Sequence, residues 1–263
     1  MYNPGSDTDS YNIGIGDEAG AAITTGYQNV LIGGKAGDAM NTGLQNTALG
    51  YDALGALTTG FGNVALGREA LKSLSGATNY VVGIGRGAGM MATTSDNCIW
   101  IGGNSGPQAS GTNSGNNNIG IGYNAGAAMS SGNSSVMIGS FAWRAGTTGA
   151  DNVVIGHAAA YDNGGNHQAL TASVYIGYGS GFYGASNNTT AVGYQSGYRN
   201  YGANSTFVGY RSGGYTNSGS SGDNNTGVGS EALRNVTNGS DNVCVGRKAG
   251  SSLTTGGANI PVS

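Results

Sequence analysis

An aliphatic residue followed directly by glycine recurs fourteen times along this chain, and alanine or serine always stands three residues after that glycine. Successive glycines are mostly 17 residues apart, with a range of 16 to 21. A period this short predicts a solenoid, in which each repeat forms one coil and contacts only its neighbours. The fourteen glycines are Gly16, Gly33, Gly50, Gly67, Gly85, Gly102, Gly122, Gly139, Gly156, Gly177, Gly193, Gly209, Gly229 and Gly246.

The residues before each glycine have the pattern of a short β-strand. Counted from the glycine, positions −3 and −1 carry Val, Ile, Leu or Thr in every coil. Such residues at a spacing of two form one face of a strand, and the glycine allows the positive φ angle of a sharp corner. Alanine or serine at position +3 predicts a tight inward site, and the Asn common at position −4 predicts hydrogen bonds at the strand entry. The fold class is therefore all-β, a parallel β-solenoid of about 14 coils of 16–21 residues.

Position −2 lies between the two aliphatic columns and belongs to the opposite face of each strand. It carries no charged, amide or small hydroxyl residue in any coil, which is unexpected for a face that meets water. Strands that are apolar on both faces are normally buried on both. We therefore expect this column to point outward and to form the interface between copies of the chain, with cyclic symmetry. The larger residues of this predicted interface are Leu31, Trp100, Met137, Val154, Tyr175, Phe207 and Cys244.

Composition excludes several other classes of protein. Glycine accounts for 53 of 263 residues without the strict third-position period of collagen, and the regular aliphatic columns are not expected of a disordered chain. Ten Lys and Arg residues stand against 13 Asp and Glu, so no basic patch indicates nucleic-acid binding. No apolar run reaches the roughly 18 residues of a membrane span. The N-terminal residues do not have the pattern of a secretory signal.

The unit Asn-x-x-Ile-Gly-x-x-Ala, as in residues 29–36 and 152–159, resembles the head repeat of YadA-like trimeric autotransporter adhesins. It is equally similar to the repeat arrays of phage tail fibres, for which residues 46–54 are a good example. The resemblance covers residues 11–256. It implies a left-handed parallel β-roll in which three chains pack side by side as a homotrimer. It also implies adhesive or receptor-binding work, on a virion tail fibre or a bacterial cell surface.

Residues that carry catalysis or bind metals are few. The two histidines, His157 and His167, have no acidic residue at a sequence spacing that would indicate a catalytic pair or a metal site. The three glutamates, Glu18, Glu69 and Glu231, are far apart along the predicted stack, which argues against the paired carboxylates of a glycosidase. We therefore expect no enzyme activity, no cofactor and no metal site.

Tyrosines are the strongest candidates for ligand contact. Tyr178, Tyr194 and Tyr210 occupy position +1 of three successive coils and should form one column at a spacing of about 5 Å. Their rings could stack on the sugars of a surface glycan, or they could form a ladder that only stiffens the coils. Insertions in solenoids often form the binding face, and residues 106–117, 161–172 and 213–223 are the longest here. Tyr161 and His167 lie in the second insertion and complete the predicted contact set.

These observations predict three segments and one leading function. Residues 1–10 are a polar N-terminal segment, 11–256 the β-roll domain and 257–263 a partial repeat. The predicted function is that of an extracellular fibre module whose partners are its own copies, adjoining fibre domains and a cell-surface glycan or protein receptor. One alternative is a purely structural rod. Another is an ice-binding solenoid, because threonine pairs recur at positions +8 and +9.

Overall fold

The computed structural model describes residues 10–109, 113–161, 169–215 and 219–262. Contacts divide the chain into unit 1, Met1–Asn133, and unit 2, Ser134–Ser263. Each unit is a parallel β-solenoid with seven strands of three residues, and no helix occurs among the described residues. Unit 1 contains β1 (Ile13–Ile15), β2 (Val30–Ile32), β3 (Thr47–Leu49), β4 (Val64–Leu66), β5 (Val82–Ile84), β6 (Ile99–Ile101) and β7 (Ile119–Ile121). Unit 2 contains β8 (Val136–Ile138), β9 (Val153–Ile155), β10 (Val174–Ile176), β11 (Thr190–Val192), β12 (Thr206–Val208), β13 (Thr226–Val228) and β14 (Val243–Val245).

Within each unit, every strand pairs in parallel with the strands of the neighbouring coils. Residues at the same coil position are partners, as in Val30↔Thr47 in unit 1 and Val174↔Thr190 in unit 2. The parallel ladder predicted from the glycine period is confirmed. Constant register explains why each coil position forms a continuous column along its unit, so that a side chain meets the residues one period before and after it.

The direction of the strand faces was predicted wrongly. The side chains at position −2 point into the coil, and all seven residues expected at the interface between copies are fully buried within a single chain. A side chain without exposed surface cannot contact another copy, so these residues form the solenoid interior and not an oligomer interface. Tyr175 illustrates this placement, because its hydroxyl donates to the Ser186 carbonyl at 3.0 Å and accepts from the Ser186 amide at 2.7 Å. The residues so corrected are Leu31, Trp100, Met137, Val154, Tyr175, Phe207 and Cys244.

Packing between coils accounts for the range of sizes in this interior column, which runs from glycine to tryptophan. Trp100 in β6 has glycine at the same position on both sides, Gly83 in β5 and Gly120 in β7. A Cβ atom on Gly120 would lie 2.6 Å from Cε3 of Trp100, so no larger residue fits there. A large side chain in one coil thus fills the space that the glycines of the adjacent coils leave, as close packing of an interior requires.

The corners and the strand entries hold the coils together. The glycine after each strand has a φ angle between +122° and +141°, which favours glycine. There is also no room for a side chain, since a Cβ on Gly33 would lie 2.6 Å from the carbonyl oxygen of Gly50. Buried asparagines at position −4 form a ladder, in which the Asn46 amide donates to Asn29 Oδ1 at 3.2 Å and Asn63 donates to Asn46 Oδ1 at 3.0 Å. Alanine or serine at position +3 is buried, as predicted.

Positions −3 and −1 form the outer surface of the strands, which we call the strand face. None of these side chains is buried in the single chain. Leu49 in unit 1 is 50% exposed, and Val208 in unit 2 is 37% exposed. The strand face of each unit is therefore a continuous, mainly aliphatic surface without a charged residue, with threonine at position −3 of β3, β11, β12 and β13. The described part of the chain contains no helix that is long and apolar enough to cross a membrane.

Candidate receptor-binding face

The predicted tyrosine column exists in unit 2 and is longer than expected. Tyr178 stacks on Tyr194 with ring centroids 5.3 Å apart, and Tyr194 stacks on Tyr210 at 5.5 Å. His157 continues the stack on Tyr178 at 5.2 Å, with the two ring planes 8° apart. We call these four residues the first ladder. They occupy position +1 directly after the corner glycine, and register between successive coils brings them together.

A second ladder runs along the same unit at the next corner of the coil. Tyr161 stacks on Phe182 at 5.0 Å, Phe182 stacks on Tyr198 at 5.5 Å, and Tyr198 lies 5.2 Å from a tilted Tyr215. These rings come from position +5, or +6 in the case of Tyr215. Only Tyr161 of this set was predicted from the sequence. The regular offset from the corner glycine was the signal that could have identified the others.

Residues at position +2 lie between the two ladders. Ala158, Gly179 and Gln195 are buried there, and a Cβ on Gly179 would lie 3.8 Å from both Phe182 and Tyr198. Arg211 is the next residue of this column. Its guanidinium carbon lies 5.0 Å from the ring centroid of Tyr210 in the first ladder and 4.4 Å from that of Tyr215 in the second. The ladders and this connecting column therefore form one surface, the aromatic face.

Phe141 and Arg144 extend the aromatic face at its N-terminal end. Phe141 makes edge contacts with His157 at 6.1 Å and with Tyr161 at 6.0 Å, one from each ladder. Arg144 places its guanidinium carbon 5.7 Å from the Tyr161 ring centroid, and its Nη1 donates to the Tyr161 hydroxyl at 3.2 Å. Neither residue was predicted from the sequence, because a phenylalanine and an arginine in different columns do not form a repeating pattern.

Stacking changes the kind of contact that the tyrosines can make. Each ring of the first ladder covers a face of the next one, with planes only 8° to 12° apart. Tyr178, Tyr194 and Tyr210 are nevertheless 43% to 50% exposed. Their free surface therefore consists of ring edges and hydroxyls, and the expected stacking of sugars on the ring faces does not fit the interior of this ladder. A ligand would meet hydroxyl donors and electropositive ring edges.

Burial in the second ladder influences the acidity of its central tyrosine. Removal from water raises the pKa of Tyr198 above its ordinary value, and the neighbouring Tyr183 and Tyr215 hydroxyls add to the shift. Its hydroxyl therefore stays protonated at neutral pH and can donate a hydrogen bond. The face thus combines this neutral phenol with the guanidinium groups of Arg144 and Arg211.

The remaining predictions about sites have different outcomes. His167 lies outside the described residues, as do parts of all three insertions, so its predicted contact stays a prediction. His157 belongs to the first ladder, where its ring stacks on Tyr178 and meets the edge of Phe141. Among the described residues, no group of three or more His, Cys, Asp or Glu side chains is placed to hold a metal ion. The expected absence of catalysis stays a prediction.

Two threonines at position +8 use their hydroxyls within the solenoid. Thr93 Oγ1 donates to the Asn113 carbonyl at 3.0 Å, and Thr237 Oγ1 donates to the Thr254 carbonyl at 2.9 Å. These two hydroxyls connect adjacent coils. The ice-binding alternative stays a prediction.

Comparison with protein-family models, with curated proteins and with solved structures gives no match for this chain. What the chain does is accordingly argued from the repeat and from the surfaces described above.

Proposed function

We propose that this chain is a structural and receptor-binding module of an extracellular fibre, either a phage tail fibre or a bacterial surface adhesin. The observation that carries the proposal is the aromatic face, an exposed surface of two stacked ladders on a scaffold made of repeats. A solenoid presents such columns as a long regular surface, which suits attachment to a repetitive partner better than the enclosure of a small substrate. Resemblance to YadA-like heads and tail-fibre repeats agrees with this interpretation.

Assembly into a homotrimer is the second part of the proposal, and we propose the strand face as its interface, because the column first expected there is buried. The strand face carries Val, Ile or Leu at position −1 of every coil and Val, Ile or Thr at position −3, and it is exposed or half-buried in the single chain. Monomeric soluble proteins rarely expose apolar patches of such extent. Side-by-side packing of three left-handed rolls around an axis, as the resemblance implies, would cover this surface with identical copies.

Native mass spectrometry tests the assembly directly. We expect a species three times the mass of the 26.0 kDa chain. Val153→Lys should reduce this species to monomer, because it places a charge on the strand face of β9. The matched control is Val153→Thr, since threonine occupies the same coil position two coils further on, in β11. A monomeric wild-type protein would contradict the trimer.

Attachment to cells tests the binding role. Labelled protein is incubated with a panel of bacterial cells, and bound fluorescence is measured for wild type, Tyr194→Ala and Tyr51→Ala. Tyr51 is the matched control because it occupies position +1 of a unit 1 coil and is 49% exposed, close to the 43% of Tyr194. We expect Tyr194→Ala alone to weaken attachment several-fold while the assembled mass stays unchanged.

A purely structural rod is the second candidate, and the stacking itself favours it. Aromatic pairs stabilise by about 0.5–1.5 kcal/mol each beyond their buried area, so the ladders stiffen unit 2 whether or not a ligand binds. Equal attachment of wild type and Tyr194→Ala would leave this role as the function of the chain. If wild type attaches to no cell of the panel, the structural role likewise remains as the function of the chain.

A further inference from the structure

We propose that the aromatic face binds an anionic polysaccharide, with the guanidinium groups of Arg211 and Arg144 as its charge contacts. This inference rests on the proposed receptor-binding role and specifies the class of ligand. Three observations carry it: the charge on the face, the geometry of the two guanidinium groups, and the part of each ring that is exposed.

The charge on the aromatic face is positive. Neither Arg144 nor Arg211 forms an ion pair with a carboxylate among the described residues. Arg234 also lies near Tyr215, but its charge is balanced by Glu231 at 3.2 Å. The described aspartates of unit 2 stand five or six positions before the corner glycine, at the entry to the strand and away from the ladders. They are Asp151, Asp223 and Asp241.

Both guanidinium groups are held in place and still have donors available. Arg211 lies against the rings of Tyr210 and Tyr215 and donates through Nε to Gln195 Oε1 at 3.0 Å. Arg144 lies against Tyr161 and uses Nη1 for the tyrosine hydroxyl. A guanidinium has five N–H donors in a planar fork that matches a carboxylate or a phosphate. Each arginine is thus preorganised to take an anionic group.

The exposed parts of the ladders also favour an anionic ligand. Because ring faces are covered by neighbouring rings, the first ladder presents edges, which are electropositive, and hydroxyls, which donate hydrogen bonds. The donors recur at the ring spacing of 5.3 to 5.5 Å along the unit. A regular row of donors matches a linear polymer with a regular row of oxygen acceptors. Nucleic-acid bases fit less well, since they bind by stacking on aromatic faces.

The distance between the two cations sets the length of the ligand. Arg144 and Arg211 belong to coils four steps apart in unit 2, which corresponds to about 19 Å at the spacing of parallel strands. A monosaccharide cannot contact both. The geometry therefore points to an oligosaccharide of several residues that lies along the solenoid and carries more than one negative charge.

Binding to defined polymers tests this inference. The assembled protein is titrated calorimetrically with polygalacturonate, polysialic acid and a teichoic acid, and with the methyl ester of polygalacturonate as the neutral counterpart. We expect binding to at least one of the acidic polymers. Where polygalacturonate binds, its methyl ester should bind at least tenfold more weakly. Binding should also weaken as salt is raised, because exposed charges are screened.

Two arginine variants separate a specific contact from the net charge of the protein. Arg211→Gln removes a cation of the aromatic face, and Arg86→Gln removes an exposed arginine of unit 1. Glutamine fits the backbone of position 211, because Gln195 at the same coil position has a φ angle of +52° against +51° for Arg211. We expect Arg211→Gln to weaken binding at least tenfold and Arg86→Gln to leave it within twofold.

Several outcomes would overturn the inference without affecting the proposed function. They are equal binding of the neutral ester, equal effects of the two arginine variants, equally tight binding of single-stranded poly-dT, and binding of no acidic polymer. Attachment to cells that is weakened by Tyr194→Ala would still support receptor binding in each of these cases. If wild type neither attaches to cells nor binds any of the polymers, the receptor-binding function and the polysaccharide inference are both rejected.

Discussion

Units 1 and 2 use the same coil and cover it with different chemistry. In unit 1 the outer corners carry charged pairs between adjacent coils, such as Lys35 with Glu18 at 3.6 Å and Lys72 with Asp52 at 2.8 Å. In unit 2 positions +1 and +5 of these corners carry the two aromatic ladders, while a charged pair at position +2, Lys248 with Glu231 at 3.8 Å, occurs further along the unit. The comparison shows that the scaffold does not depend on its outer columns. Backbone pairing, corner glycines and the interior column specify the coil, so the corners are free to acquire function.

The two units also differ in their numbers of basic and acidic residues. Unit 1 contains four Lys and Arg residues against eight Asp and Glu, whereas unit 2 contains six against five. The chain as a whole has a formal net charge of −3 and gives no sign of this asymmetry. Position +2 contributes to it. The charged residues of this column are Glu18, Lys35, Asp52 and Glu69 in unit 1 and Arg211, Glu231 and Lys248 in unit 2.

The largest expected effect tests whether the interiors of the units are equivalent. Trp100→Ala in unit 1 and Phe207→Ala in unit 2 each remove a fully buried ring. Each should lower the free energy of unfolding by about 3–5 kcal/mol, through lost transfer energy and the cavity that remains. Urea unfolding followed by circular dichroism gives the values, and exposed Tyr51→Ala is the control. A loss below about 1 kcal/mol for either ring would contradict the inward direction of position −2.

Alkaline pH should destabilise the fold in two steps, because buried thiols, Cys98 in unit 1 and Cys244 in unit 2, ionise before a buried phenol does. Burial raises the pKa of the Cys98 thiol to about 11 and that of the Tyr175 hydroxyl in unit 2 to about 12. Both groups are neutral when protonated, so the folded state holds the proton more tightly than the unfolded state. Their contribution is complete below the ordinary values of about 8.5 for Cys and 10 for Tyr, and it is lost as pH rises through the folded values.

The size of the alkaline effect follows from the shift. Two pKa units correspond to about 3 kcal/mol for each group. The melting temperature of wild type in reducing buffer should fall between pH 8 and 10, and Cys98→Ser should remove most of this fall. Above pH 11 both proteins should lose stability together, as Tyr175 ionises. Parallel curves for wild type and Cys98→Ser from pH 8 to 10 would show that the thiol does not couple to folding.

The smallest effects separate the two kinds of corner. Tyr194→Ala breaks two stacked pairs and should cost about 1 kcal/mol. Lys72→Met removes the partly exposed ion pairs with Asp52 and Glu69 and should cost about 0.5 kcal/mol. Raising NaCl from roughly 0.05 to 1 M shortens the screening length from about 14 to 3 Å. The effect of Lys72→Met should therefore disappear at high salt, while that of Tyr194→Ala persists. Equal salt dependence of the two would remove the distinction between an electrostatic and an aromatic corner.

Several elements of the fold could be predicted because they depend on residues at one fixed period. Constant spacing of the glycines predicted the parallel register, and recurrent Asn29, Asn46 and Asn63 predicted bonding at the strand entry. Of the aromatic face, the sequence identified Tyr161, Tyr178, Tyr194 and Tyr210. It did not identify Phe182, Tyr198 and Tyr215 as a second ladder, or Arg211 as the residue between them. These contacts join different coil positions, and their proximity depends on how the coil closes.

The sequence by itself determined the coil: its period, its short parallel strands, its corner glycines and its small inward residue at position +3. Tertiary structure decided which strand face is inside. Ten of the fourteen strands are apolar at all three positions and so have no polar face that alternation could identify. Threonine at position −3 of the other four, β3, β11, β12 and β13, was the one sign in the strands that this face lies outside. Closure of the chain leaves room for only one side chain per strand, and position −2 occupies it. The regular Val and Ile columns consequently lie outside, where the aliphatic strand face is available for assembly.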